Sequence, residues 1–338
     1  MADKYTHLRD IFEKKANHCG FWHGNPHWNS TERLFKYFGV KDDFELGVKL
    51  GDSFLWVYDG RGHYKHPKGY GVFDIISQEV PEEFKKLNNL TDDDLAALDN
   101  FNWPEAKYYD FSGFAEIRDR AKSVGMPIIS GALSPFYHNL SDLFGMENYF
   151  VKMHTDPELV LAVTERIVGF YTDMNDLFLA DHRGDIEALF FGNDFGTQLD
   201  LMVSPEMFRK FIMPFQTRIA KQAKDRGLYA VLHSCGSVVK AIPDLIEAGV
   251  DGLHPIQALA AGMDAENLAS KFRDKIVFVG GVDTQVMLRE GTAATIKAEV
   301  KRLKDIFGNN FIVSPSHEAI LPDIPPENIA AMAEEVWK

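Results

Sequence analysis

Short, wholly apolar runs bounded by glycine, proline and polar turns recur through the chain, and between them apolar residues return every three or four positions. The first pattern marks strands buried on both faces, the second helices with one buried face. Ile128 to Gly131, Ala188 to Gly192, Tyr229 to His233, Gly252 to Ile256, Ile276 to Gly280 and Phe311 to Val313 read as strands. Between and after them, Phe114 to Val124, a long run from Asp156 to about Ala180, Ser204 to Lys224 with a break at Pro214, Ser237 to Ala248, Ala265 to Phe272, Ala293 to Phe307 and Pro326 to Val336 read as helices. Asp156-Pro157 and Ser204-Pro205-Glu206 are helix-start signatures, a capping side chain followed by proline in the first turn. Gly20 to Trp22 and Ser53 to Tyr58 raise the strand count to eight. The alternation predicts an α/β fold, a (β/α)8 barrel built as a single domain over residues 1–338. An N-terminal extension with a helix over Tyr5 to Asn17 precedes it. Near residues 60–105 Gly, Pro, Tyr and charge replace the apolar period, which predicts an insertion or lid.

In such a barrel the C-terminal strand ends meet at one mouth, and polar residues concentrate there: Asn193-Asp194, His233 and Cys235, His254 and Gln257, Asp283, and Ser314 to Glu318. His233 and Cys235 carry the sharpest signal. Residues two apart on extended chain share a face, so imidazole and thiol point the same way, a pair suited to zinc. The plainer alternative is a small core cysteine beside a hydrogen-bonded histidine.

Composition narrows the partners. Fifty acidic against thirty-six basic residues give a net charge of -14, which argues against nucleic acid. No apolar stretch is long enough for a membrane span, the start lacks a signal-peptide pattern, and two cysteines make no disulfide framework. The expectation is a cytoplasmic protein. A homodimer is compatible with the sequence and not specified by it. Phe21, Trp22, Trp28, Trp56, Tyr58, Phe190 and Phe191 lie near strand ends, suited either to an aromatic ligand or to filling the barrel.

Four blocks carry a family resemblance: Gly192-Asn193-Asp194-Phe195-Gly196-Thr197-Gln198 with Ser204-Pro205-Glu206, His233-Ser234-Cys235-Gly236, Gly280-Gly281-Val282-Asp283, and His317 through Leu321-Pro322-Asp323-Ile324-Pro325-Pro326. With these the chain resembles the uroporphyrinogen decarboxylase superfamily. The resemblance implies the barrel and two activities: metal-free decarboxylation of a tetrapyrrole, or zinc-dependent methyl transfer to or from a corrinoid held by a partner protein. Decarboxylases of the family carry an arginine-bearing segment near the N-terminus, where this chain has Trp22-His23-Gly24-Asn25-Pro26-His27. Tetrapyrrole carboxylates need guanidinium partners, so the departure favours the methyltransferase branch.

In that branch a His-x-Cys at the end of the fifth strand supplies two zinc ligands, matched here by His233 and Cys235. The third ligand of the branch is a cysteine, at an offset that in this chain falls on Glu318, next to His317. Strand alternation would let one of the two face the mouth, and His317 is expected to be the ligand, with Glu318 as the carboxylate alternative. Asp194 is expected to donate a proton or orient a ligand imidazole, or to cap its turn. The resemblance thus implies a bound zinc, a corrinoid such as methylcobalamin brought by a partner protein, since this chain has no Asp-x-His-x-x-Gly cobalt-ligand motif, and a small methyl donor or acceptor, a methoxylated aromatic among them. A porphyrinogen decarboxylase and a non-catalytic corrinoid-binding barrel are the competing readings.

Overall fold

The computed structural model describes residues 3–72 and 82–338. Eight parallel strands run through it: β1 Gly20–Phe21, β2 Leu55–Tyr58, β3 Ile128–Gly131, β4 Ala188–Gly192, β5 Tyr229–His233, β6 Gly252–Ile256, β7 Val277–Val282 and β8 Phe311–Pro315. Each pairs with its sequence neighbour from β2 through β8, and β8 pairs with β1. The seam between β1 and β2 is bridged ahead of β2: the Ser53 N–H donates to Phe21 O at 2.7 Å, and the Phe21 N–H donates to Ser53 Oγ at 3.0 Å. This is the (β/α)8 barrel expected from the alternation.

Two apolar clusters follow from the two faces of these strands. Trp22, Phe54, Ile129, Ala188, Phe190, Val231, Val277, Val279 and Ile312 fill the barrel interior. Leu189, Phe191, Ala230, Leu232, Phe278 and Val313 face the helices. The strand period of two thus carries Tyr229, Val231 and His233 up one inner face, with His233 topmost. Leu8 and Ile11 of the helix Lys4–Phe12 plug the opposite end, where Phe12 stacks on Tyr229 at 4.3 Å. Burying each such side chain contributes about 2 kcal/mol.

Several expectations are corrected by local chemistry. The N-terminal helix stops at Phe12 rather than Asn17, because Lys14 turns into left-handed backbone (φ 62°). The helix predicted over Ser237 to Ala248 shrinks to Ile242–Glu247. Ser237 is spent on neighbouring loops, its N–H donating to Thr197 O and its hydroxyl to Ala261 O. Asp156 precedes the long helix Pro157–His182 without capping it, its carboxylate taking Thr155 and Lys152 instead. Pro214 opens a second helix, Met213–Lys224, after Pro205–Phe211. Helices Trp28–Phe38, Asp43–Leu50, Phe136–Phe144 and Met146–Thr155 were not anticipated from the periodicity.

Of the predicted insertion or lid, residues 73–81 lie outside the described residues. The remainder includes an antiparallel pair, His63–Tyr64 with Tyr109–Asp110, and the 3-10 helices Phe84–Asn89 and Asp92–Asn100. These dock on the outer helices: Asp92 accepts the Leu159 N–H at 2.7 Å, and Lys152 Nζ donates to Leu90 O at 2.6 Å.

Candidate active site

The strand register brings Asp194, His233 and Cys235 together. Gly192 of β4 lies opposite His233 of β5, and the loops that follow are locked to each other. Gly236 has φ +84°, and a Cβ there would sit 2.3 Å from Gly196 O, so both loops need glycine for their backbones to touch. In this arrangement Asp194 Oδ1 accepts the Cys235 N–H at 2.9 Å and lies 3.3 Å from His233 Nε2, which is 3.6 Å from Cys235 Sγ. Asn193, fully buried, accepts the Tyr137 N–H and donates to Ser134 O, fixing the chain just before Asp194.

The opposite wall comes from β8 and β1. Strand β8 ends at Pro315 and residues 316–318 bend before the short strand Ala319–Ile320. The alternation that would have allowed one of His317 and Glu318 into the mouth does not apply to a bend, and both reach it. Glu318 Oε2 lies 3.9 Å from His233 Nδ1 and 3.7 Å from His317 Nδ1. The Ala319 N–H donates to His317 Nδ1 at 3.1 Å, which leaves the proton of a neutral His317 on Nε2. The bend is held from β1. The Asn25 N–H donates to Glu318 O at 2.6 Å, and Gly24, at φ +97°, leaves room where a Cβ would meet that oxygen at 2.6 Å. His23 stands behind this segment in a buried ion pair, 2.6 Å from Asp52 and 3.1 Å from Asp43.

One residue that the sequence places at the mouth carries no assigned role there. His254 of β6 lies in register with His233, is 1 % exposed, and places its Nδ1 2.9 Å from His233 Nδ1. The signal was present: two histidines near the ends of adjacent strands, His233 in Val-Leu-His and His254 in Gly-Leu-His. His138, which the sequence does not single out, places its Nε2 3.5 Å from Asp194 Oδ2. Nor does it single out Asp59, just past β2, whose carboxyl accepts the Leu133 N–H at 2.8 Å and is pushed up to about 6 by burial.

The electrostatics follow from this crowding. Burial alone would lower His233, but Glu318, Cys235 and Asp194 outweigh it and hold the imidazole well above its usual range. Burial would likewise raise Asp194; hydrogen bonds from His138, His233 and the Cys235 N–H hold it well below the usual carboxylate range. His254 goes the other way, lowered by burial and by the neighbouring His233 and His317.

These donors fit a metal. Asp194, His233 and Cys235 offer atoms within 4.8 Å of one another, as do His233, His254 and Glu318, and His317 belongs to neither set. Ligands held at 2.0–2.3 Å on a tetrahedron lie roughly 3.3–3.6 Å apart, the spacing of His233 Nε2 from Asp194 and Cys235. Glu318 Oε2 and His254 Nε2 are buried without a hydrogen-bond partner among the described residues.

Beside His317 opens a cavity of about 370 Å³ lined by Gln257, Thr284, Gln285, Arg289 and Ser316. Of the two roles open to the aromatics near the strand ends, most take that of filling the barrel or its helix interface. Trp22 and Phe190 fill the interior, Phe21 and Phe191 face the helices, and Trp28 is 76 % exposed. Asp283, also predicted at the mouth, accepts three backbone N–H groups of its own loop, from Gln285, Val286 and Met287.

Among known proteins, the chain is 23% identical over 212 residues to the methylcobamide:CoM methyltransferase MtbA of Methanosarcina acetivorans, a match covering 62% of this chain and 57% of that protein. It is 24% identical over 185 residues to a uroporphyrinogen decarboxylase of Acidiphilium cryptum, covering 54% of this chain and 48% of that one. The chain therefore spans about half the length of these relatives. In structure it resembles a methyltransferase from Methanosarcina mazei, with a TM-score of 0.68 over 99% of this chain and 98% of that one at 17% identity, which bears on the fold. No helix among the described residues is long and apolar enough to cross a membrane. The family model of uroporphyrinogen decarboxylase matches residues 74–338, and with that span of the sequence this chain belongs to the uroporphyrinogen decarboxylase family.

Proposed function

We propose that this protein is a zinc-dependent methyltransferase that moves a methyl group between a small substrate and the corrinoid of a partner protein. The observation that carries the reading is the thiol of Cys235 set against His233 Nε2 and Asp194 at the barrel mouth, with metal-ligand spacing. His233 and Cys235 hold the metal through Nε2 and Sγ. Glu318, whose Oε2 is buried and unpaired but lies on the Nδ1 side of His233, would become the third ligand by turning toward Nε2, in preference to His317, where the Ala319 N–H ties the proton to the nitrogen that would have to coordinate. When bound, zinc with an open position supplies Lewis acidity to the heteroatom that bears or receives the methyl group.

The chain's own residues then divide the work. Asp194 holds the Cys235 backbone and neighbours the His233 ring, keeping both donors in place. His317, its proton on Nε2, lines the 370 Å³ cavity, where it would hydrogen-bond the heteroatom. The substrate sits among Gln257, Thr284, Gln285 and Ser316, which suits a small molecule with polar groups. Arg289, the one guanidinium in that lining, already pairs with Glu290 at 2.5 Å, too little to grip the several carboxylates of a porphyrinogen. The partner brings the cobamide.

Zinc analysis of protein purified without chelator tests the reading, followed by methyl-cobalt spectroscopy with a reduced corrinoid protein and a panel of methylated substrates. Zinc retained in full by Cys235→Ser, or turnover of uroporphyrinogen at an enzyme-like rate, overturns it.

A further inference from the structure

We propose that His254 is the positioning residue of this site: it accepts the Nδ1 proton of His233 and so turns the Nε2 lone pair of His233 toward Cys235 and the metal. The inference rests on the metal reading above and deepens it.

Two ring nitrogens 2.9 Å apart need one N–H and one lone pair between them, so the His233–His254 contact fixes a proton on one of the two Nδ1 atoms. If that proton sat on His254, a neutral His233 would carry its own proton on Nε2, the nitrogen that faces Cys235 and Asp194. It could not then bind a metal there. With the proton on His233, Nε2 is free to coordinate and His254 is the acceptor.

The setting of His254 suits such a role. Its ring is held by Trp22 at 5.1 Å and Phe190 at 5.9 Å, side chains of the barrel interior. Its backbone carbonyl accepts the Ser234 N–H at 2.7 Å, so the ring and the His-Ser-Cys segment are tied through one residue. Ligand histidines commonly pass their second N–H to a carboxylate or carbonyl. A neutral imidazole in that place withdraws less proton density from His233, so less negative charge reaches the metal. With one thiolate and one carboxylate as the other ligands, the bound ion keeps more of its Lewis acidity.

The test compares His254→Leu, which removes the acceptor and keeps bulk, with His254→Asn, whose amide oxygen can take the Nδ1 position. Zinc and cobalt(II) affinity is measured by chelator competition, and imidazole nitrogen NMR shifts of His233 report its tautomer with metal bound and, without metal, at a pH above its raised pKa. His254→Leu should weaken metal binding roughly 10- to 100-fold and leave His233 in mixed tautomers, with circular dichroism unchanged. His254→Asn should recover most of the affinity and a single Nδ1-protonated tautomer. Equal losses in both variants, or unchanged affinity and tautomer in His254→Leu, overturn the inference and leave His254 a packing residue. Wild-type protein that takes up neither metal overturns the proposed function and the coordinating role of His233 with it. The nitrogen shifts of the metal-free protein then still decide whether His254 sets the tautomer.

Discussion

The two walls of the mouth are built by different means. On the β4–β5 side, Asp194, His233 and Cys235 hang from strands paired at five consecutive positions, and the loops beyond touch backbone to backbone at Gly196 and Gly236. On the β8–β1 side, His317 and Glu318 occupy a bend moored by a two-residue pairing, Asn25–Pro26 with Ala319–Ile320. A donor fixed by barrel register cannot move without disturbing the sheet. A donor in a moored bend can be exchanged, and Glu318 in that bend stands where the resemblance leads one to expect a second thiolate.

The largest effect should fall on the register-built wall. Cys235→Ala and His233→Ala should reduce zinc from about one ion per chain to near none, and abolish methyl transfer, with circular dichroism unchanged. Near-full zinc in either variant would mean that the metal is held elsewhere. On the other wall Glu318→Gln should lower affinity by more than the roughly 10- to 100-fold typical of a residue that merely orients a ligand. His317→Gln should change affinity by less than about tenfold and lower the transfer rate instead. The reverse ranking would restore His317 as the ligand and break the distinction between a coordinating and a donating neighbour.

The same contrast explains what could be read in the sequence. Period-two alternation placed His233 on the inner face, with Cys235 just past the strand end and held there by Asp194, and β3 to β6 fall where the apolar runs predicted them. These are features in which each residue's neighbour is set by backbone geometry. The choice between His317 and Glu318 was illegible because it assumed extended chain, and the strand stops at Pro315. Ser237 likewise gave a helical period but spends its hydrogen bonds on Thr197 and Ala261, partners 40 and 24 residues away in sequence. In the sequence His23 only marks the segment that lacks the arginines of the decarboxylases, and its role as an anchor appears once Asp52 and Asp43 fold against it.

Backbone substitutions sharpen the comparison at a smaller scale. Gly236→Ala should cost about 3 kcal/mol in urea unfolding, since the new Cβ meets a backbone oxygen at 2.3 Å in left-handed conformation and neither strand-anchored loop can retreat. Gly24→Ala faces a comparable clash with Glu318 O at 2.6 Å, but the bend can shift, so about 1–2 kcal/mol is expected, together with weaker metal binding. Equal costs at the two positions would show that the bend is as rigid as the register.

The mooring of that bend should also depend on pH in a way the β4–β5 wall does not. His23, 3 % exposed, is surrounded by Asp52 and Asp43, with Lys4 Nζ nearby on the Asp52 carbonyl at 2.6 Å. Burial alone would lower its pKa, and the two carboxylates outweigh burial and hold it up at about 10. A histidine raised on folding contributes stability that is complete below its unfolded value of about 6.5 and is lost as pH rises through its folded value. Asp52 is itself pushed up by burial, against the pull of His23. Unfolding free energy should therefore fall between pH 7 and 10.5 by roughly 2 kcal/mol more in the wild type than in His23→Gln, less than the full shift because desolvating the pair offsets part of it. Metal affinity should weaken over the same window in the wild type as Gly24 and Asn25 release Glu318. Superimposable alkaline limbs in the two proteins would show that His23 carries no charge in the fold, and that the bend is held by its backbone hydrogen bonds alone.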